Sequence, residues 1–62
     1  MSEDLNMSMR KFLKQVGVTS QQAIEEAIRN AGSSEGKSFE VKAVITIGEL
    51  GMEHVVTGTI KG

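Results

Sequence analysis

The chain has no cysteine, proline, tryptophan or tyrosine, and only one histidine. Without cysteine there is neither a disulfide nor a thiolate metal site, and His54 alone provides no His pair for zinc. Phe12 and Phe39 are the only aromatics, so a core must be built from Ile, Val, Leu, Met and Ala. No apolar run approaches the roughly 20 residues of a membrane span. Glu3 and Asp4 stand where a secretory signal would carry basic residues. These absences point to a cytoplasmic protein with no cofactor, no metal and no membrane association.

What is present is short. Sixty-two residues make one small domain, 1–62. A chain of this length buries only about 60% of its unfolded surface, and its core supplies about 3–5 kcal/mol. With the usual covalent and metal staples missing, self-association is the remaining source of stability. Seven basic residues against eight acidic ones leave a net charge of −1, so there is no global attraction to phosphate backbones or anionic lipid. Locally the charge is uneven: Arg10, Lys11 and Lys14 are basic, and Glu25 and Glu26 acidic.

Leu5, Met9, Phe12, Leu13 and Val16 line one helical face, which predicts a first helix over about 4–16. Gly17 then stands where a left-handed C-cap is easily made, with Val18 folding back onto Leu13. Thr19 and Gln22 have the T-x-x-Q spacing of a capping box, which predicts a second helix over about 19–31 with Ala23, Ile24, Ala27, Ile28 and Ala31 on its inner stripe. Glu25 precedes Arg29 by one turn, the favourable order for an exposed pair. Gly32 ends the helix.

"GSSEGKS", residues 32–38, contains no apolar residue and predicts a loop. Its spacing falls one residue short of a phosphate-binding G-x-x-x-x-G-K-[ST], and no strand precedes it. Beyond it the period changes to two: Phe39, Val41, Ala43, Ile45 and Ile47 alternate with residues that are mostly polar, predicting a strand over about 39–47. "GELG" supplies a turn, and 52–60 is the returning strand. The implied register sets Ile47 against Met52, Ile45 against His54, Ala43 against Val56, Val41 against Gly58 and Phe39 against Ile60, which gathers the apolar residues on one side. A slip of one residue would send the second strand's side chains to the wrong face.

Residues 14–28, "KQVGVTSQQAIEEAI", have the rhythm of a DNA-reading helix-turn-helix, and Gln21 and Gln22 could reach base edges. Glu25 and Glu26 on the next turn would repel phosphate, and the cations lie on the preceding helix. The charge pattern favours an antiparallel helical hairpin with complementary basic and acidic faces over nucleic-acid binding. Arg10, Lys11 and Lys14 are fewer than the four to eight cations of a lipid-binding cluster. Glu53 and His54 are strand neighbours on opposite faces, so no acid–base pair forms there, and His54 reads as a packing residue. Met1, Met7, Met9 and Met52 suggest a methionine-rich docking surface, but Met more often fills gaps in a core poor in aromatics; Met9 and Met52 fall on the inner faces, whereas Met7 lies off the stripe and is the methionine expected as an exposed contact. There are no candidate catalytic, cofactor-binding or metal-ligating residues. The candidate partner contacts are Met7, Arg10, Lys11, Lys14, Gln21 and Gln22.

"NMSMRKFLKQVGVTSQQAIEEAIR", residues 6–29, resembles a family of short, uncharacterised bacterial proteins that open N-M-S-x-R-K-F-L-K-x-V-G-V-T-S-Q. "LGMEHVVTGTI", residues 50–60, is similar to that family's closing strand. Met9 stands where members often carry a branched apolar residue, and Ala23 where they carry an acidic one. The resemblance implies a free-standing domain and brings with it no activity, cofactor or catalytic residue.

The expected fold is α+β: two N-terminal helices packed on a C-terminal antiparallel hairpin, in the order ααββ. The hairpin's two edges, unprotected by proline, invite completion as a four-stranded sheet in a homodimer or the addition of a strand from another protein. The expected role is non-enzymatic: a protein–protein interaction module or small homodimeric protein, with a nucleic-acid-binding helix-turn-helix as the alternative.

Overall fold

A computed structural model describes residues 2–32 and 35–62. It contains one helix, α1 (Glu3–Asn30), and two strands, β1 (Ser38–Ile47) and β2 (Met52–Lys61), joined by a short 3-10 turn at Gly48–Leu50. The order is therefore αββ. The expected break into helices over 4–16 and 19–31 does not occur.

The ends of α1 explain themselves. Ser2 is the N-cap, its hydroxyl accepting the Leu5 N–H at 3.1 Å, and Glu3 and Asp4 place negative charge at the positive end of the helix dipole. At the other end the Ala31 N–H donates to Ala27 and Ile28, and Gly32 follows at φ 95°, the left-handed conformation that glycine adopts without strain. The C-cap expected at Gly17 is made fifteen residues later.

Nothing at residues 17–19 forces a stop. Glycine inside a helix costs about 1 kcal/mol relative to alanine, too little to break 28 residues, and there is no proline to do it. Thr19 does not cap a new helix; its hydroxyl donates backward to the Gln15 carbonyl at 2.8 Å, a bond available only inside a continuing helix. Val18 is half exposed and does not fold back onto Leu13. The apolar stripe also stays in phase, since Phe12, Val16, Ser20, Ala23 and Ala27 follow one another at intervals of three or four.

The hairpin has the expected register along its whole length, with Ile47 opposite Met52, Ile45 opposite His54, Ala43 opposite Val56, Val41 opposite Gly58 and Phe39 opposite Ile60. Both strands extend one residue further than the alternation implied. The turn closes with the Gly51 N–H on the Gly48 carbonyl at 3.1 Å, and Gly51 holds φ 60°. Of the loop expected over 32–38, Ser33 and Ser34 lie outside the described residues, as does Met1; Ser38 belongs to β1.

The helix lies along β1. Val16, Ile24 and Ile28 of α1 and Phe39, Val41, Ile45 and Ile60 of the hairpin are half-buried, and the four hairpin residues share the apolar side of the ribbon. Among the described residues none is fully buried. The first half of α1 has the least cover: Leu5, Met9, Phe12 and Leu13 remain 39–53% exposed.

Candidate functional site

The expected contact residues all lie on α1 and all are exposed, but they do not form one site. Met7, Lys11, Lys14 and Val18 follow at intervals of four, three and four, which places them on the helix side opposite the apolar stripe. Lys11 and Lys14 share a shallow depression there with Gln15, Val18 and Thr19, and Met7 is 62% exposed. Arg10 precedes Lys11 by about 100° of helix rotation. Gln21 and Gln22 sit mid-helix rather than at the start of a recognition helix, so the helix-turn-helix geometry is absent over residues 2–32.

The continuous helix also overturns the idea of basic and acidic faces meeting in a helical hairpin. Lys11 and Glu25 are fourteen residues apart on one straight element, about 21 Å at 1.5 Å per residue. That exceeds the screening length of about 8 Å at physiological salt. Within a single chain these charges do not pair.

On the ribbon the two groups closest in sequence to an acid–base pair are held on opposite sides. His54 stands opposite Ile45 on the side facing the helix, while Glu53 stands opposite Thr46 on the other side. Among the described residues no three His, Asp or Glu are grouped so as to hold a metal ion. No helix among them is long and apolar enough to cross a membrane. On the outward side a shallow depression of about 550 Å³ lies over Gly58, bordered by Glu40, Lys42, Thr57 and Thr59.

The surface that sequence reasoning did not single out is an open groove of about 700 Å³ between α1 and β1. One wall is Phe12, Val16, Gly17, Ser20, Ala23 and Ile24, and the other is the unbroken run of residues 41–46. Six consecutive strand residues line it, from both sides of the ribbon, so the groove follows the strand's main-chain edge. The helix wall is mostly small or apolar, and two of its members, Gly17 and Ser20, flank the expected break between the two helices. The in-phase stripe running through them is the signal that could have revealed it.

No curated protein and no solved structure matches the chain. A family match, in contrast, takes in the helix, the groove and the hairpin together. Residues 1–62 match throughout, and the chain belongs to DUF6494, a family of unknown function.

Proposed function

We propose that the chain is a non-enzymatic interaction module that works as a homodimer. One observation carries the reading: no described residue is fully buried. The accessible surface is 5579 Å², whereas a compact folded chain of this mass exposes about 3,900 Å². The radius of gyration is 15.0 Å, against about 10.5 Å for a compact domain of this length. The excess surface is about 1,700 Å² per chain, or about 3,400 Å² for two, within the range that obligate homodimers bury. The setting in this reading is a bacterial cytoplasm, which the resemblance of residues 6–29 supports.

Sedimentation equilibrium from micromolar to millimolar concentration tests it. The expected result is a mass of two chains, with a melting temperature that rises with concentration as mass action requires. A strictly monomeric protein at millimolar concentration overturns it. A monomer that is ordered only with a different protein bound would replace self-association with heterotypic docking.

A further inference from the structure

Association between copies is the proposed function, and the groove supplies its surface. Resting on that proposal, we infer that two copies join through the free edge of β1, antiparallel, with the two-fold axis at Ala43, giving a four-stranded sheet in the order β2–β1–β1–β2 with both helices on one side.

The main chain fixes which groups are free. The Gly62 N–H donates to the Lys37 carbonyl at 2.8 Å, and these two residues continue the register of the hairpin by one step. Directly opposite residues in an antiparallel pair alternate between hydrogen-bonded and non-bonded. Odd-numbered residues of β1 therefore bond to β2, and Glu40, Lys42, Val44 and Thr46 direct their N–H and C=O groups outward, along the edge that lines the groove. In a symmetric pairing centred on Ala43, Lys42 bonds to the partner's Val44 and Glu40 to the partner's Thr46. Every outward group in this stretch then has a complement.

The same register matches the side chains. Facing the helices, Ala43 meets the partner's Ala43, Val41 the partner's Ile45, and Phe39 the partner's Ile47. All are apolar, and the smallest sits at the axis. Centring on Lys42 would oppose two ammonium groups. Pairing through β2 centred on Val56 would set His54 against Gly58, and because each helix lies over its own β1, any β2 pairing would leave the central seam without a helix above it. Pairing through β1 brings both helices over the seam.

Charge points the same way. A two-fold axis normal to the sheet makes the two helices antiparallel. Residues 12–24 of α1 flank residues 41–46, so the axis passes near the helix midpoint. The basic turn of Arg10, Lys11 and Lys14 on one copy then runs beside the acidic turn of the partner's Glu25 and Glu26.

The absence of native cysteine makes a clean test, because any disulfide reports an introduced pair. Opposed Cα atoms at a non-bonded antiparallel position lie about 4.5 Å apart, within disulfide reach. Ala43→Cys under mild oxidation should double in mass on a non-reducing gel, and Val56→Cys, the centre of a β2 pairing, should stay at one chain's mass. In the unaltered protein, amide exchange at Glu40, Lys42, Val44 and Thr46 should slow as concentration rises, while Val55 and Thr57 stay fast. A sedimentation monomer removes the dimer reading itself. A sedimentation dimer in which Ala43→Cys stays reduced, Val56→Cys links, or the β1 edge amides stay fast leaves the dimer standing and overturns the β1 pairing.

Discussion

Thr19 lies one turn after Gln15 and ties its hydroxyl to the Gln15 carbonyl at 2.8 Å. A threonine that looks like the start of a helix is thereby committed to the middle of one. Its neighbour Gly17 is equally interior, and a Cβ built there meets nothing within 4 Å.

Gly17→Ala should therefore stabilise the protein, by up to about 1 kcal/mol, through the ordinary alanine advantage in a helix. Circular dichroism through a thermal melt would show a raised midpoint. A lowered midpoint would mean that residue 17 needs a conformation alanine resists, as the broken-helix arrangement requires.

Gly51 gives the opposite expectation, since φ 60° is strained for a residue with a Cβ. Gly51→Ala should destabilise the hairpin by about 1–2 kcal/mol, and Gly51→Asn by less, because asparagine tolerates this region. Chemical denaturation of the three proteins would establish the order. Equal midpoints would exclude the left-handed turn.

Ile45 and Lys42 lie on opposite sides of β1. Ile45→Asp puts a carboxylate among the few half-buried side chains and should abolish the folded signal or lower its midpoint by tens of degrees. Lys42→Asp should move it by only a few degrees. Comparable losses from both would contradict the assignment of faces.

Antiparallel helices in a dimer make a charge-reversal prediction. Lys11→Glu should weaken self-association by about twofold to thirtyfold, the range expected of two symmetry-related exposed pairs. Adding Glu25→Lys to the same chain should restore it, and 1 M salt should erase the difference. Sedimentation equilibrium at low and high salt measures all three. Failure of the second change to rescue the first would argue against antiparallel helices.

The hairpin was legible in the sequence to within one residue at each strand's outer end. A two-residue period allows one apolar side, and a glycine-flanked turn of four residues allows one register consistent with it. The helix was legible in kind but not in length. Gly17 and Thr19 carry strong local preferences for a cap, yet those preferences are worth about 1 kcal/mol each, and a stripe that stays in phase from Phe12 to Ala27 outweighs them. Met7, Lys11 and Lys14 stood out because charge and exposure can be read from residue types. The hairpin's two edges stood out together, but the choice between them did not, because both are built from N–H and C=O groups that every residue carries and only the position of α1 turns the β1 edge into a groove.

A chain in which every described residue keeps contact with solvent has no interior to lock its parts together. Helix and hairpin are each closed by near neighbours in sequence, and such elements form within microseconds, independently of one another. At high dilution the helical signal and the strand signal should then fade on heating along separate, gradual curves. A single sharp transition belongs to the concentrated protein, where losing either element exposes the other. The cooperative unit is set by how many chains are present rather than by where one chain begins and ends.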